Sequence, residues 1–186
     1  MKVESKNNDY DVIIIGAGMV GLSVAYQLIE RKITNNILIV EKENQIGMHS
    51  SGRNSGVLHA GLYYPPNSLK AKVCVSGSKR LKKWITDRNL QINFCGKIIL
   101  PQKKTLDSQL DLLASRGEQN GAKTEFWQNS KLNEKFPLLN SISGRALWSP
   151  NTAVVNPLEI LNKLKDELIS NGAVSYTHLR AHETNS

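Results

Sequence analysis

The sequence predicts an α/β fold, in which parallel strands alternate with helices. Two β-branched apolar runs, YDVIII at 10–15 and ILIV within NNILIVEKE at 35–43, have the composition of buried parallel strands. Between them the apolar residues recur at helical spacing, at Leu22, Ala25, Leu28 and Ile29. A strand, a glycine turn, a helix and a second strand in about 30 residues form one βαβ unit.

The rest of the chain continues this alternation after a long loop at 43–67. Helices are predicted at 68–89, 105–121, 130–136 and 157–172, and strands at 96–101, 123–128 and 144–150. In the first of these helices we expect five residues to face a core: Leu69, Val73, Leu81, Trp84 and Ile85. Pro157 and Gly172 mark the beginning and the end of the last helix.

Length and composition indicate a soluble globular protein, with 186 residues, 40% hydrophobic and 22% charged. The net charge of +8 comes mostly from lysines, and the small clusters at 79–83 and 103–104 are interpreted as solvated faces rather than a nucleic-acid site. Attraction to an anionic membrane surface or an acidic substrate stays open. With no apolar run of about 18 residues and no signal-peptide core, we expect a cytoplasmic protein, with peripheral association with the inner membrane as an alternative. Cys74 and Cys95 are expected to be reduced thiols.

The last residues of the chain look foreign to the rest. VSYTHLRAHET at 174–184 matches one reading frame of a transposon adapter used to prepare sequencing libraries. We therefore expect the natural sequence to stop near Ala173, in the front half of a longer protein, before a strand that would follow the last helix. His178, His182 and Glu183 resemble a helical metal site, but we reject this interpretation and predict no metal ligands.

A nucleotide-binding motif lies between the first strand and the first helix. Gly16, Gly18 and Gly21 form G-x-G-x-x-G, and Glu41 ends the second strand 20 residues after the last glycine. The glycines allow a tight turn, close approach to a pyrophosphate and close helix packing, and the acid can bind a ribose 2′-hydroxyl. An acid rather than an arginine favours FAD or NAD over NADP.

The loop after Glu41 favours FAD over NAD. HSSGRNSGVLHAGLYY at 49–64 shows neither a helical nor a strand period and is rich in glycine and serine. Backbone amides and small hydroxyls in such a loop can donate hydrogen bonds to a pyrophosphate and a flavin ring without steric conflict.

Several motifs together resemble one family of flavoenzymes. GAGMVG, VEKE, SGRNSGVLHAGLYYPPNSLKAKVC, FCGKIILP and SPNTAVVNP are similar to the FAD-dependent oxidoreductases of the D-amino-acid oxidase superfamily, and most similar to the branch that acts on L-2-hydroxyglutarate. The resemblance covers residues 9–173. It implies the N-terminal part of a Rossmann-like FAD-binding domain at 1–90, the start of an α+β substrate domain at 91–150 and a return helix at 151–173 toward the FAD domain. The adapter match adds a non-native tail at 174–186.

The resemblance also implies a reaction. A 2-hydroxy acid, L-2-hydroxyglutarate in the first place, is oxidised to the 2-oxo acid by hydride transfer to flavin N5, and a quinone or oxygen then reoxidises the flavin. The given chain is expected to be inactive alone. Arg53 stands where that branch usually has histidine, and TAVVNP also departs from its pattern. FAD-dependent oxidoreductases of the same superfamily that act on glycerol 3-phosphate or amino acids are the alternative, and a non-catalytic nucleotide-binding fragment is another.

The candidate site residues fall into two groups. His59 and Arg53 are the catalytic candidates: an imidazole titrates near neutral pH, and a guanidinium can pair with a substrate carboxylate or a cofactor phosphate. A structural histidine and a surface arginine are the alternatives. The cofactor-binding candidates are Gly16, Gly18, Gly21, Glu41, Ser50, Ser51, Asn54, Ser55 and Gly56. Of these, the two adjacent serines are assigned to the pyrophosphate and residues 54–56 to the flavin, while His49, Tyr63 and Tyr64 are assigned structural roles.

Overall fold

The structure, a computed structural model, describes residues 9–178, and the chain divides into two units. Unit 1 holds the described residues of Met1–Asn54 and Pro157–Ser186, and unit 2 is Ser55–Asn156. The domain boundaries expected from the sequence, near 90, 150 and 173, stay a prediction about the whole protein.

Unit 1 contains the predicted βαβ motif. Its elements are strands β1 (Val12–Ile15) and β2 (Ile37–Val40), with helix α1 (Met19–Glu30) between them. The two strands pair in parallel, with Ile13 opposite Leu38. This confirms the α/β class.

The described residues of unit 1 cover only one face of this sheet, which corrects the expectation of a fully buried first strand. Ile13 and Ile15 are 60% and 88% exposed, whereas Ile37 and Ile39 of the neighbouring strand are buried. Alternate residues of a strand point to opposite faces, and α1 packs on one face only, together with the later helix at 157–170. The apolar run predicted a strand correctly, but composition alone does not show whether both faces are covered.

Unit 2 begins inside the long loop and consists of two antiparallel sheets and three helices. In chain order its elements are β3 (Val57–Leu58), α2 (Leu69–Asp87), β4 (Ile92–Asn93), β5 (Lys97–Ile99), α3 (Ser108–Gln119), β6 (Glu125–Gln128), α4 (Asn129–Lys135), β7 (Arg145–Ser149) and β8 (Ala153–Val155). The sheets have the strand orders β3-β8-β4 and β5-β7-β6. The predicted strands and helices are all present, and the short strands β3, β4 and β8 were missed.

Helix α2 agrees with only part of the prediction: Ile85 is buried as expected, and Leu81 and Trp84 are half-buried, but the first two turns differ. Leu69 and Val73 are 76% and 59% exposed, whereas Ala71 and Ile85 are buried. Ala71 lies two residues from Leu69, slightly more than half a helical turn around the axis, so the face that is buried at the start of the helix is not the one with the larger side chains. Gly77 does not interrupt the helix.

The chain returns to unit 1 through α5 (Pro157–Ser170) and β9 (Val174–Tyr176). Gly172 makes the turn with a φ of +101°. Strand β9 pairs in parallel with β2, on the side of β2 away from β1. The expectation that no strand follows this helix is therefore wrong. The adapter origin of the tail stays a prediction, and residues 179–186, including His182 and Glu183, lie outside the described part.

No helix within residues 9–178 is long and apolar enough to cross a membrane. Both cysteines are free thiols: Cys74 is half-buried, and Cys95 is exposed.

Candidate cofactor site and the loop that follows it

The glycine turn has the close backbone packing that its sequence predicts. Gly16 has a φ of +101°, and its N–H donates to the Val40 carbonyl at 2.7 Å, which ties the turn to β2. A Cβ on Gly21 would lie 2.0 Å from the Gly16 carbonyl oxygen. Only glycine therefore allows α1 to begin this close to the end of β1.

Glu41 is a buried carboxylate, 8% exposed, that holds two backbone segments. One carboxylate oxygen accepts from the Ala17 N–H at 2.8 Å, and the other accepts from the Glu43 N–H at 3.0 Å. The side chain thus fixes the glycine turn against the end of β2. Each oxygen has a second lone pair, so these bonds leave acceptor capacity for a ribose hydroxyl.

Ser51 lies at the N-terminus of α1, although it is far away in sequence. Its Oγ accepts from the Met19 N–H at 3.0 Å, and a Cβ on Gly18 would come within 2.9 Å of that oxygen. Gly18 itself provides no side-chain cap. The helix N-terminus therefore carries backbone donors and a hydroxyl together, an arrangement that favours an anion such as a pyrophosphate.

Gly16, Gly18, Glu41 and Ser51 line one pocket of about 350 Å³ at the carboxyl ends of β1 and β2. Of the predicted cofactor residues, five line it: Gly16, Gly18, Glu41, Ser50 and Ser51. The carboxyl edge of a parallel sheet is where nucleotides bind in α/β proteins. Five residues that the motifs singled out thus share one concave pocket, and their binding of a cofactor stays a prediction.

Two glycines that shape this pocket were not singled out from the sequence. Gly47, with a φ of +69°, lines the pocket, and a Cβ there would lie 2.6 Å from Cδ1 of Leu161 in α5. A Cβ on Gly52 would lie 2.2 Å from the Gly47 carbonyl oxygen. Their spacing in GMHSSG is the signal that could have indicated a tight loop packed on a helix.

His49 lines the same pocket and has a structural partner. Its Nε2 lies 3.0 Å from a Glu43 carboxylate oxygen, and Lys42 Nζ lies 3.7 Å from the same oxygen. The exposed histidine therefore contacts an acidic side chain at the rim of the pocket, and its structural role stays a prediction.

Arg53 and Asn54 follow the pocket without lining it. Arg53 is exposed, and its guanidinium forms no ion pair with a carboxylate of residues 9–178. The Asn54 amide nitrogen donates to the carbonyls of Ser50 and Ser51, at 3.0 and 2.9 Å, so it braces the serine turn. A flavin contact by Asn54 and an anion contact by Arg53 stay predictions.

Gly21 lies in α1 of unit 1 and does not line the pocket, and the other predicted residues belong to unit 2. Ser55 is exposed, while Gly56 is buried with a φ of +65° and accepts from the Val155 N–H at 3.0 Å. This bond begins the pairing of β3 with β8. The loop expected to lack a strand period therefore contains a short strand.

The HAGLYY segment after β3 is packed rather than flexible. Ala60 and Leu62 belong to a buried cluster with Leu110 and Leu147. The Asn120 amide donates to the carbonyls of Gly61 and Tyr64, at 2.9 and 3.1 Å. The loop is therefore held from within the fold of unit 2.

His59 is half-buried in this segment. Its Nδ1 is buried without a hydrogen-bond partner among the described residues. Burial, and then the nearby positive charge of Lys97, lower the pKa of His59 below the ordinary value for histidine. The structure thus places Gly16, Gly18, Glu41, Ser50 and Ser51 in one pocket of unit 1 and His59 in unit 2.

Within the described residues, no group of three or more histidine, cysteine, aspartate or glutamate side chains could hold a metal ion.

Comparison with known proteins gives a consistent family. The family model described as "FAD dependent oxidoreductase" (DAO) matches residues 11–185. The L-2-hydroxyglutarate dehydrogenase of Dictyostelium discoideum, a mitochondrial protein, is 38% identical over 165 residues, which are 86% of this chain and 36% of that protein. The mitochondrial enzyme of Caenorhabditis elegans is 36% identical over 90% of this chain and 39% of its own length. The bacterial enzyme of Salmonella houtenae is 31% identical over 91% and 40%.

Solved structures share the fold at lower identity. The dithionite-reduced L-α-glycerophosphate oxidase of Mycoplasma pneumoniae, with FAD bound, superposes with a TM-score of 0.80 at 22% identity, over 92% of this chain and 45% of that one. Glycine oxidase of Geobacillus kaustophilus gives 0.77 at 20% identity, over 91% and 46%. The chain spans 36 to 40% of the length of the three curated relatives above.

Proposed function

The chain belongs to the DAO family of FAD-dependent oxidoreductases, and on that premise we propose that the whole protein oxidises L-2-hydroxyglutarate to 2-oxoglutarate with FAD as its cofactor. One observation carries the choice of substrate. Three relatives from distant organisms, 31 to 38% identical over most of this chain, all carry the name L-2-hydroxyglutarate dehydrogenase.

The pocket of unit 1 supports FAD as the cofactor. Gly16 and Gly18 leave the space that a Cβ would fill, and Ser51 and the start of α1 offer donors to a pyrophosphate. Glu41 keeps acceptor capacity for a ribose hydroxyl. When bound, FAD supplies an acceptor for a hydride and can later be reoxidised.

The chain's own residues have three tasks in this proposal. Those of the pocket bind and orient the dinucleotide. His59 takes the proton of the substrate hydroxyl while the hydrogen on C2 leaves as a hydride. Loss of these two hydrogens converts the alcohol to a ketone. Arg53, exposed and without a carboxylate partner in the described chain, binds an anionic group of the cofactor or the substrate.

The reduced cofactor also needs an electron acceptor. A membrane quinone or oxygen would accept the electrons, and a quinone would place the protein at the surface of the inner membrane. The net charge of +8 would favour binding to an anionic lipid surface.

A second candidate function is oxidation of glycerol 3-phosphate or an amino acid. The glycerophosphate oxidase and the glycine oxidase share the fold with TM-scores of 0.80 and 0.77. Arg53, where histidine is usual in the L-2-hydroxyglutarate branch, would suit a phosphate equally well. A non-catalytic module would bind FAD without turning over any substrate.

The test is a substrate screen on the purified whole protein. We expect a yellow protein with absorbance near about 450 nm that bleaches under anaerobic conditions with L-2-hydroxyglutarate, with formation of 2-oxoglutarate. The D-enantiomer is the matched control and should leave the absorbance unchanged. Bleaching only by glycerol 3-phosphate or an amino acid would support the second candidate, and a folded, colourless protein would refute FAD binding.

A further inference from the structure

Three side chains of unit 2 form a cluster that the sequence motifs did not connect. His59 follows β3, Tyr63 comes four residues later in the same packed loop, and Lys97 begins β5. We call these three residues the His59 cluster.

Tyr63 lies between the other two members. Lys97 Nζ donates a hydrogen bond to the Tyr63 hydroxyl at 2.5 Å and lies 4.5 Å from the centroid of its ring. The His59 ring contacts the same ring edge-to-face, with centroids 5.9 Å apart. Tyr63 therefore fixes the ammonium group at a defined place beside the imidazole.

The charge of Lys97 is not neutralised locally. No carboxylate of residues 9–178 lies within ion-pair distance of its ammonium group. The other polar groups that reach this segment are the Cys74 thiol of α2, which contacts the His59 carbonyl at 3.7 Å, and the Arg116 guanidinium of α3, which donates to the Tyr63 carbonyl at 3.4 Å. Burial raises the pKa of Cys74, so this thiol stays uncharged near neutral pH. Every charged group named here is therefore positive.

The environment of His59 opposes its protonation on geometric grounds alone. An imidazolium has an N–H on both nitrogens, but Nδ1 is buried with no acceptor among the described residues. Repulsion by Lys97 adds to this cost. Both effects act in the same direction.

We propose that Lys97, held by Tyr63, is a positioning residue that keeps His59 an uncharged imidazole. This inference rests on the proposed function, because an uncharged imidazole can accept the hydroxyl proton of the hydroxy acid, whereas an imidazolium cannot. In the tautomer that carries its hydrogen on Nδ1, the Nε2 atom of His59 would accept the hydroxyl proton, and bound FAD would supply the acceptor for the hydride of C2. Lys97 has no covalent part in the step.

The test replaces Lys97 in the whole flavoprotein and follows the titration of His59 by NMR, with its signal assigned through His59→Gln. Lys97→Met removes the charge, and the pKa of His59 should rise, while the effect of burial remains. The acidic limb of kcat/KM should move to higher pH by the same amount. Lys97→Arg, which keeps the charge, should restore the wild-type titration.

The controls separate this inference from the proposed function. Lys103→Met removes an exposed lysine of the same unit and should leave the His59 titration unchanged. Tyr63→Phe, which keeps the ring but frees the ammonium group, should give a rise between those of wild type and Lys97→Met. An unchanged titration in both Lys97→Met and Tyr63→Phe would overturn the inference. Failure of the wild-type protein to oxidise any hydroxy acid would refute the proposed function, and the NMR titration would still decide the effect of Lys97.

Discussion

Glu41 shows how one side chain can serve the fold and the site together. Its two oxygens accept from the N–H groups of Ala17 and Glu43, at 2.8 and 3.0 Å, so the carboxylate joins the glycine turn to the segment after β2. Bonds from backbone amides to a buried carboxylate are stronger than neutral ones. A substitution of Glu41 should therefore lower the stability of the folded protein, whether or not substrate is bound.

Glu41→Gln should destabilise the whole protein by about 1–3 kcal/mol, because an amide nitrogen would replace one acceptor and face an N–H group. It should also lower the FAD retained per protein. The measurements are chemical unfolding and the ratio of flavin to protein absorbance. Glu30→Gln, a matched change at the exposed end of α1, should alter neither, and equal stability of the two variants would contradict the role of Glu41.

Single residues also show the limit of sequence reasoning about the site. The pocket was predictable because G-x-G-x-x-G and the acid after β2 have a fixed spacing in sequence. The position of Lys97 beside His59 was not predictable, because its partner Tyr63 lies 34 residues away in sequence and only the fold of unit 2 brings them together. The hydrogen bond between Ser51 and Met19 also spans 32 residues. The small residues of the loop predicted hydrogen bonds but not this partner.

At the scale of elements, α1 and α2 each contain a glycine, and the two glycines have opposite surroundings. Gly21 lies where a Cβ would meet the Gly16 carbonyl oxygen at 2.0 Å, whereas a Cβ on Gly77 would meet nothing within 4 Å. Helix propensity favours alanine over glycine equally in both helices. The difference between the two substitutions therefore measures packing alone.

Gly21→Ala should separate α1 from β1 and cost several kcal/mol or prevent folding, together with loss of bound FAD. Gly77→Ala should instead stabilise the protein by about 0.5–1 kcal/mol. Thermal unfolding of the two variants beside wild type gives the comparison. A stable, flavin-bearing Gly21→Ala protein would show that α1 can shift without damage to the pocket.

Elements were predictable in proportion to their length. Helix α5, with 14 residues between Pro157 and Ser170, shows a clear period and a cap at each end. Strands β3 and β4 have two residues each, too few for an alternation to be visible. Leu69 and Val73 of α2 were misassigned, while Ile85 was assigned correctly, because a helical period shows which residues share a face and not which face meets a core.

At the scale of the whole molecule, one apolar face of the unit 1 sheet needs an explanation, because the described residues of that unit do not cover it. Ile13 and Ile15 lie on this face, 60% and 88% exposed, and the opposed residues Leu38 and Val40 are half-buried. Apolar sheet faces of this kind are normally covered. Since the chain spans 36 to 40% of the length of the three relatives compared above, we expect the whole protein to cover this face.

Ile13→Ser tests this expectation, since Ile13 does not line the pocket. In the 186-residue chain the substitution should cost less than about 0.5 kcal/mol and lower the binding of a hydrophobic dye, because the side chain is already largely in water. In the whole protein it should cost about 2–5 kcal/mol, as a buried position does. Ile39→Ser, at a residue 1% exposed on the neighbouring strand, is the control that should be costly in both chains. A small cost of Ile13→Ser in both would show that the face stays in water, and lack of a cooperative transition in the 186-residue chain would show that its two units need more chain to fold.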